Sequence, residues 1–405
     1  MRILFVNTLY YPQEVGGAER SVRTMAEHLA AGKHDVSVMS THQADSMIVK
    51  EVAGVRVFYV PSRNIFYPHG RSNLPSWTQH TPVKLLWHSV NTYNLFMRPA
   101  VRYILEVVNP EVVHTNNLTG FSTAVWSEVQ RQGRALVHTI RDYYLLCRRS
   151  TMYQNGSNCT SLCWQCKPFS SVRMHISRSV DAVVGISQFI LDEHQKHGGF
   201  CDTPIQAIIP NPYDGPMQKP NDYNRRPDGF KLQVGFLGRL SRKKGLDVLL
   251  KVAKRLSERI QVHVGGTGDS SYVESLRRSY PIENVTYHGY VDPSSFLPSL
   301  DVLVVPSQWH EPLGRVVFEA YAYGVPVIGA ARGGIPELIE EERTGYVFDP
   351  SEPRLLSDLL CKLVSSPSLL QAMRSAAFDR ASRYRAEVVV DRYLDVYNQA
   401  IRLAA

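Results

Sequence analysis

The chain has 405 residues, of which 44% are hydrophobic and 20% charged, and its formal net charge is +8. This length exceeds what one hydrophobic core usually organises, so two domains are expected, and the composition excludes a fibrous or disordered protein. No apolar run is long enough to span a bilayer, residues 1–7 are too short for a signal-peptide core, and the basic residues are scattered without a nucleic-acid motif. We therefore expect a cytoplasmic protein that binds no nucleic acid.

Short apolar runs alternate with segments of helical period along the first half of the chain. Strands are predicted at 3–6, 36–39, 55–60, 112–114, 136–139 and 182–186. After the first strand, Val22, Met25, Ala26 and Leu29 recur at the spacing of one helix face, which predicts a helix from about Glu19. The stretch from 62 to 102 is less regular.

The pattern starts again after residues 210–227, which are rich in Pro, Asn and charge as connections between domains are. Strands are predicted at 233–237, 262–264, 285–287, 302–305, 327–328 and 346–348, with a helix from about Leu246 and helical segments from 352 to 405. The alternation predicts an α/β fold of two Rossmann-like, doubly wound domains. We assign residues 1–215 to the first domain, residues 216–383 to the second and residues 384–405 to a final helix.

The most informative stretch follows the predicted strand at 302–305 and runs Glu311-Pro-Leu-Gly-Arg-Val-Val-Phe-Glu319. Gly314 marks a turn into a helix, and the free amides near Leu313, Gly314 and Arg315 would attract a phosphate. At a helical rise, eight residues separate the two carboxylates by about 12 Å at most. This reach suits a nucleotide sugar whose diphosphate lies between them. The alternative is an ordinary surface helix with two solvated glutamates.

Glycine-rich or basic turns follow other predicted strands. Gly16-Gly17 precedes the first helix, where a glycine pair lets the backbone approach a ligand. Arg239 and Lys244 lie in the loop after the strand at 233–237, from which both can reach a diphosphate. Gly333-Gly334 follows the strand at 327–328. Each turn alone is equally well explained as a surface loop, but together they indicate a ligand site at one sheet edge.

Four of the six cysteines are clustered, namely Cys147, Cys159, Cys163 and Cys166. Disulfides are disfavoured in a cytoplasmic chain, and the spacing includes a Cys-x2-Cys pair that suits a small structural zinc site. The alternative is four unconnected thiols in a flexible insertion at about 147–168, and the sequence favours neither.

Together these segments resemble the retaining GT-B glycosyltransferases of family 4, the glycosyl transferases group 1, over nearly the whole chain. The resemblance rests on Gly16-Gly17-Ala18-Glu19, Gly238-Arg239 with Lys244-Gly245, Gly289-Tyr290-Val291, Glu311-x7-Glu319, Gly324-Val325-Pro326 and Gly333-Gly334-Ile335-Pro336-Glu337. It implies two domains that face each other across a cleft, the first binding the acceptor and the second the nucleotide sugar. It also implies that the final helix crosses back to the first domain.

The resemblance further implies roles for individual residues. Arg239 and Lys244 would hold the diphosphate and neutralise its charge as it leaves. Glu311 would bind hydroxyls of the donor sugar, and Glu319 would bind the ribose. The remaining donor-binding positions are the amides of Leu313, Gly314 and Arg315 for the sugar and distal phosphate, Gly16 and Gly17 for the phosphates, and Tyr290 and Val291 for the base.

One segment departs from the family pattern, because many relatives carry His-Asp where this chain has Arg141-Asp142. An arginine cannot act as a base. We therefore expect Arg141 to support the anomeric centre or the acceptor electrostatically, and Asp142 to accept a hydrogen bond from a hydroxyl or to orient it.

The predicted reaction is transfer of a sugar, with retention of configuration, from a UDP- or GDP-sugar to a hydroxyl of a glycan or a polyprenyl-linked acceptor. The resemblance suggests bacterial cell-surface polysaccharide assembly as the setting. No Asp-x-Asp motif occurs, so no catalytic metal or other cofactor is expected for catalysis. The alternatives are a nucleotide-sugar 2-epimerase of the same fold and a non-catalytic sugar-nucleotide-binding protein. Aromatic and basic residues from Phe66 to Arg102, with Arg148 and Arg149, indicate either an acceptor surface on the inner face of the plasma membrane or a packed, solvated face.

Overall fold

The computed structural model describes residues 1–13, 16–69, 76–220 and 231–405. Glu14 and Val15 of the first glycine-rich turn, and residues 221–227 of the predicted connection, lie outside the described residues. The strands are β1 (Arg2–Val6), β2 (Asp35–His42), β3 (Ile48–Val52), β4 (Val55–Pro61), β5 (Val112–Thr115), β6 (Ala135–Ile140), β7 (Tyr153–Gln154), β8 (Ser157–Asn158), β9 (Ala182–Gly185), β10 (Ile205–Ile208), β11 (Leu232–Leu237), β12 (Ile260–Gly265), β13 (Val285–Gly289), β14 (Val302–Val305), β15 (Val327–Ala330) and β16 (Gly345–Phe348).

The α-helices are α1 (Gly17–Ala31), α2 (Thr81–Val90), α3 (Arg98–Val108), α4 (Ala124–Arg131), α5 (Lys167–Ser177), α6 (Gln188–Lys196), α7 (Leu246–Arg255), α8 (Ser270–Ser279), α9 (Pro293–Phe296), α10 (Val316–Tyr321), α11 (Ile335–Leu338), α12 (Pro353–Ser365), α13 (Pro367–Ala381) and α14 (Ala386–Ala404). Among the described residues, none of these helices combines the length and the apolar character needed to cross a membrane.

The chain divides into two compact units. Unit 1 comprises Met1–Met152, Cys159–Pro212 and Ala386–Ala405. Its sheet has the strand order β10-β9-β6-β5-β1-β2-β4-β3. The strands pair in parallel except β3, which runs antiparallel to β4 at the edge. Strands that are buried on both faces need apolar side chains throughout, which is why the sequence shows them as continuous apolar runs.

Helices α1 and α14 bury their apolar faces in the core of unit 1. The predicted helix face of α1, from Val22 to Leu29, is buried together with alternate residues of the central strands. Helix α14 contributes Val389, Tyr393 and Tyr397 to the same core. The final helix therefore belongs to unit 1, as the family resemblance implied.

Unit 2 comprises Tyr153–Asn158 and Tyr213–Arg385. Its six parallel strands have the order β13-β12-β11-β14-β15-β16. Chain order reverses between β11 and β14, so this is the switch point where doubly wound sheets bind their ligands. The core of the unit contains the apolar face of α7, including Leu249, Leu250 and Ala253.

The unit boundaries after Pro212 and Arg385 differ little from the predicted ones at 215 and 383. A larger difference concerns the hairpin β7–β8, which the sequence placed in the cysteine-rich insertion of the first domain. The hairpin belongs to unit 2, because the Asn158 side chain is hydrogen-bonded to the backbone of Gln308 and His310.

Candidate active site

Three loops of unit 2 follow β11, β14 and β15, which are adjacent in the sheet. They comprise residues 238–245, 306–315 and 331–334. Because these strands are parallel, their carboxyl ends meet at one edge of the sheet. The loops carry three of the residues that the sequence singled out, namely Arg239, Lys244 and Glu311.

Lys244 and Glu311 form an ion pair between two of these loops. Lys244 Nζ donates a hydrogen bond to Glu311 Oε1 at 2.8 Å, with side-chain exposures of 26% and 8%. Glu311 is therefore held in place and nearly buried, while the ammonium group remains accessible. An ammonium group has three donors, so Lys244 can bind an anion without releasing Glu311.

Gly245 and Gly333 allow these loops to pack backbone against backbone. Both residues have positive φ angles, of 69° and 61°. A Cβ on Gly245 would lie 1.9 Å from the carbonyl oxygen of Pro306, and one on Gly333 would lie 2.1 Å from that of Glu311. Any side chain at either position would push apart the loops that carry Lys244 and Glu311.

Positive charge exceeds negative charge in this region. Burial lowers the pKa of Lys243 below its usual value, the charges of Lys244 and Arg239 lower it further, and Glu311 opposes the change. Cations that repel one another in this way lie close together. The region is therefore suited to an anionic ligand.

A cavity of about 600 Å³ opens beside these cations. Its lining includes Arg239, Arg242 and Lys243. It also includes Tyr272 on α8 and Asp269, the residue before that helix. The Arg242 guanidinium lies 5.5 Å from the centre of the Tyr272 ring. The volume falls within the range of about 300–1,000 Å³ that small-molecule pockets have.

A second ion pair joins Arg315 to Glu319, with Nε and Oε1 2.7 Å apart and both side chains largely buried. Helix α10 begins only at Val316, after Gly314 with φ 97°. Residues 311–315 are therefore not helical, and the estimate of about 12 Å between the two glutamates, which assumed a helical rise throughout, was wrong in its premise. The amides of Leu313, Gly314 and Arg315 precede the first helical turn.

Tyr290 and Val291 follow β13, at the same edge of the sheet of unit 2. The Tyr290 side chain is 84% exposed. Val291 packs on Gly265, where a Cβ would lie only 2.7 Å from Val291 Cγ2. An exposed aromatic ring on a backbone fixed in this way can stack on a planar ligand.

Unit 1 carries the remaining predicted site residues. Gly17 is the first residue of α1, and Gly16 precedes it at the N-cap. The Gly16 amide donates to Glu19 Oε2 at 2.9 Å, as in a capping box. The turn that was predicted to cap phosphates therefore also holds a carboxylate.

Asp142 follows Arg141 in unit 1, and the pKa of its carboxyl is raised towards neutral pH. Burial raises its pKa to about 6, the amide of Tyr144 opposes the change, and the nearby charge of Glu19 adds to it. Asp142 Oδ1 accepts a hydrogen bond from the Tyr144 amide at 2.8 Å. A carboxyl with such a pKa can gain or lose a proton near neutral pH.

Arg141 is buried, and its guanidinium is bound within unit 1. Its Nε donates to Asn116 Oδ1 at 2.8 Å, one terminal nitrogen donates to Asn211 Oδ1, and the other lies 3.5 Å from Met25 Sδ. The two carboxamides fix the plane of the guanidinium. Arg141 is thus a rigid internal cation next to Asp142.

The clustered cysteines are free thiols. Cys147 and Cys166 are buried with sulfur atoms 4.0 Å apart, and a hydrogen bond between them lowers the pKa of Cys147 to about 5 and raises that of Cys166. Within the described residues, no group of three or more His, Cys, Asp or Glu side chains is gathered as a metal ion requires. The zinc site at these cysteines, which include Cys159 and Cys163, stays a prediction.

Two contributors to this region were not predicted from the sequence. Lys243 was overlooked beside Lys244. Asn158, in hairpin β7–β8, contacts the segment just before Glu311. The dipeptide Asn155-Gly156 between short polar runs is a hairpin signal that would have revealed this element.

The sequence profile described as Glycosyl transferases group 1 matches residues 222–380, and that of Glycosyltransferase Family 4 matches residues 15–214. An uncharacterized 42.6 kDa protein in the cps region of Klebsiella pneumoniae is 35% identical over 339 residues, which cover 84% of this chain and 87% of that protein. An uncharacterized glycosyltransferase of Methanocaldococcus jannaschii is 25% identical over 434 residues, which cover 100% of this chain and 99% of that protein.

Two solved structures share the fold over almost the whole chain. Sucrose-phosphate synthase from Thermosynechococcus elongatus has a TM-score of 0.76 at 19% identity, covering 99% of both chains. HepE from Anabaena, solved with UDP, has a TM-score of 0.69 at 19% identity, covering 98% of this chain and 100% of that one. The chain has the GT-B fold and belongs to glycosyltransferase family 4, the glycosyl transferases group 1.

Proposed function

We propose that the protein is a retaining glycosyltransferase that moves a sugar from a nucleoside diphosphate sugar to a hydroxyl of a glycan or lipid-linked acceptor. The observation that carries the proposal is the convergence of Glu311 with three cations, Arg239, Lys243 and Lys244, at the carboxyl edge of the unit 2 sheet. A diphosphate supplies the negative charge that these cations attract, and a carboxylate beside it accepts hydrogen bonds from sugar hydroxyls.

Uridine is the base that we propose to test first, with guanosine second. HepE has been solved with UDP and with UDP-glucose, and TarM from S. aureus with UDP. In this chain the proposed base contact is Tyr290, and the proposed ribose contact is Glu319, which Arg315 holds at 2.7 Å.

The proposed chemistry needs little from the protein except position and charge. The acceptor hydroxyl attacks on the side of the leaving group, and the departing phosphate oxygen takes its proton, so that configuration is retained. Lys244 and Arg239 stabilise the charge that develops on the diphosphate. Glu311, engaged by Lys244 at 2.8 Å, serves as a hydrogen-bond acceptor rather than as a nucleophile. Because the sequence lacks Asp-x-Asp, no metal is assigned to the reaction.

In unit 1, we assign Asp142 to the acceptor. Its pKa of about 6 makes it a carboxyl that can accept a hydrogen bond from the attacking hydroxyl at neutral pH. The fixed guanidinium of the preceding residue, Arg141, stands in place of the histidine that the family pattern would put there.

Part of the sequence stretch that was considered for the acceptor packs or forms ion pairs within unit 1. Phe66 stacks on Trp87 with ring centres 5.6 Å apart. Arg98 and Arg102 both form ion pairs with the buried Glu128. These side chains stabilise unit 1 and are removed from the proposed acceptor surface.

We propose that the protein acts in cell-surface polysaccharide assembly on the inner face of the bacterial plasma membrane. The Klebsiella relative in the cps region supports the pathway. Leu85, Leu86, Leu95 and Phe96, which lie within twelve residues of one another in the sequence of unit 1, are all exposed and support a peripheral contact with lipid, because apolar side chains that lie in a lipid interface are exposed in the free protein.

The test is a thermal-shift screen against UDP- and GDP-sugars, followed by product analysis. A donor at 100 times its Kd should stabilise the protein by about 2.7 kcal/mol. With an acceptor, NMR of the product should show a transferred sugar with its anomeric configuration retained. Inversion at C2 of the donor without transfer would identify an epimerase, and binding with neither transfer nor donor hydrolysis would identify a non-catalytic binder. No stabilisation by any nucleotide sugar would overturn the proposal.

A further inference from the structure

The hairpin β7–β8 has a tight two-residue turn. Tyr153 pairs with Asn158 and Gln154 with Ser157. The two turn residues, Asn155 and Gly156, have φ angles of 52° and 80°, as the central residues of a type I′ turn have. The backbone amide of Cys159 closes the base of the hairpin by donating to the carbonyl oxygen of Met152 at 2.7 Å.

Asn158 joins the end of this hairpin to the loop that carries Glu311. Its Nδ2 donates to the carbonyl oxygen of Gln308 at 2.8 Å, and its Oδ1 accepts from the amide of His310 at 2.9 Å. One carboxamide therefore satisfies both a donor and an acceptor of an irregular backbone segment, as a neighbouring strand would. The clamp lies directly before Glu311 in the chain.

The clamped segment is also bound by the other two loops of the site. The amides of Gln308 and Trp309 donate to the carbonyl oxygen of Lys243 at 2.9 and 3.2 Å. His310 Nδ1 accepts from the amide of Gly333 at 3.1 Å. Segment 308–310 thus connects the loop that bears the cations to the glycine-rich loop. Asn158 is its third support, and it comes from a distant part of the sequence.

The hairpin contributes little to the apolar core. Gln154, Gly156 and Ser157 are exposed, and the hairpin has no residue in the buried core of unit 2. Loss of Asn158 should therefore leave the fold of the unit intact. Its effect should be confined to the segment that it holds.

We propose that Asn158 is a positioning residue of the donor site, which acts by fixing the backbone before Glu311 so that this carboxylate meets the donor sugar beside Lys244. The proposal rests on the donor site of the proposed function. It adds a residue from outside the family motifs, and it gives the hairpin a purpose in sugar recognition. Since Glu311 is assigned to the sugar and not to the nucleotide, Asn158 should affect the sugar-dependent part of donor binding.

The first test needs no donor. Hydrogen exchange of a peptide that contains His310 is compared in wild type, Asn158→Ala, Asn158→Asp and the matched control Ser157→Ala, whose side chain is exposed in the same hairpin. The proposal expects about tenfold faster exchange at the His310 amide in Asn158→Ala, since a hydrogen bond to it is lost. Asn158→Asp, which keeps the acceptor, should be intermediate, and Ser157→Ala should match wild type. Exchange in Asn158→Ala that equals that of Ser157→Ala would overturn the proposal.

The second test separates positioning from folding. The probes are UDP and UDP-glucose, or GDP and GDP-mannose if the donor screen selects guanosine. Asn158→Ala should bind the free nucleotide with the same affinity as wild type. Its kcat/KM for the sugar donor should fall about tenfold, with an unfolding midpoint close to that of Ser157→Ala. Equal kcat/KM in Asn158→Ala and Ser157→Ala refutes the role. The role is also refuted if Asn158→Ala loses affinity for the free nucleotide by the same factor as it loses kcat/KM for the sugar donor. If wild type binds no nucleotide sugar, the proposed function fails instead, and the exchange experiment still decides whether Asn158 fixes the segment.

Discussion

Neutralising Glu311 tests the proposed donor site most directly. In Glu311→Gln the side chain keeps its size, but the charged hydrogen bond with Lys244, 2.8 Å long, becomes a hydrogen bond with only one charged partner. A hydrogen bond to a charged group contributes about 1.5–3 kcal/mol, and one between neutral groups contributes about 1 kcal/mol. Each sugar hydroxyl that Glu311 is proposed to bind should therefore lose about 1 kcal/mol of transition-state binding in the variant.

Two such hydroxyl contacts give a loss of about 2 kcal/mol, which corresponds to a fall of about 30-fold in kcat/KM. Binding of the free nucleotide should change much less, because no part of it is assigned to Glu311. The effect on stability should be small, since Lys244 is 26% exposed and pairs that water can reach contribute about 1 kcal/mol or less. Activity and stability are therefore expected to separate.

The measurements are kcat/KM for the sugar donor, calorimetric Kd for the nucleotide, and the thermal midpoint. Glu258→Gln is the matched control, because Glu258 is an exposed glutamate that precedes β12 in the same unit. Wild-type kcat/KM in Glu311→Gln would refute the placement of the sugar at Glu311. An equal loss of affinity for nucleotide and nucleotide sugar would refute the division of labour between Glu311 and the cations.

Four further predictions concern other parts of the chain. Gly333→Ala should lower transfer more than tenfold, because its Cβ would lie 2.1 Å from a backbone oxygen. The control Gly133→Ala has the same φ near 60° and no atom within 4 Å, so it should lower the free energy of unfolding by about 1 kcal/mol and leave transfer unchanged. Similar transfer in both variants would contradict the packing argument. The pKa of Asp142 is raised from 3.8 to about 6, so the native state holds this proton more tightly than the unfolded chain does. Ionisation of Asp142 therefore lowers the free energy of unfolding progressively from pH 4 to 6, and the loss reaches about 3 kcal/mol above pH 6. Urea unfolding of Asp142→Asn should lack that fall and show a variant more stable than wild type at pH 7 but not at pH 4. Arg141→Lys should lose about 2 kcal/mol of unfolding free energy, because an ammonium cannot replace the planar fork between two carboxamides; an unchanged urea midpoint would exclude a structural role. If the clustered cysteines bind zinc, native mass spectra should show one bound zinc in wild type and none in Cys163→Ser. Zinc-free protein from zinc-supplemented cultures would rule the site out.

The sequence predicted the parallel strands well because their environment dictates their composition. Strand β14, for example, is buried throughout, so only apolar residues are tolerated along it. Four strands were missed, and two of them, β3 and β10, were missed for the converse reason. β3 is an edge strand with four exposed residues, and β10 is only partly buried, so neither needs an apolar run.

The site was predictable where its signal is local and not where it depends on distant contacts. Arg239, Lys244 and Glu311 lie in short motifs after predicted strands. The clamp between Asn158 and His310 joins residues that are 152 positions apart, and no local pattern records such a pairing. The assumption of a helical rise between Glu311 and Glu319 was wrong for a related reason. The backbone of Glu311 packs against Gly333 in another loop, and residues 311–315 precede the helix.

The charges at the proposed donor site support binding of the anionic part of the donor by Arg239 and Lys243, two cations that have no carboxylate partner among the described residues. Glu311 and Glu319 each pair with a cation, Lys244 and Arg315 respectively, and these pairs are neutral before any ligand arrives. Among the described residues, no carboxylate lies within ion-pair distance of Arg239 or Lys243.

Because Arg239 and Lys243 also line the cavity, the free energy of diphosphate binding should come mainly from them and should weaken with salt, whereas the contribution of the sugar should not. Raising ionic strength from 50 to 500 mM should therefore increase the Kd of the nucleotide and of the nucleotide sugar by the same factor. In a Lys243→Ala variant that factor should shrink. A salt effect confined to the sugar-bearing ligand would mean that Lys244 and Arg315, which pair with glutamates, bind the diphosphate in place of Arg239 and Lys243.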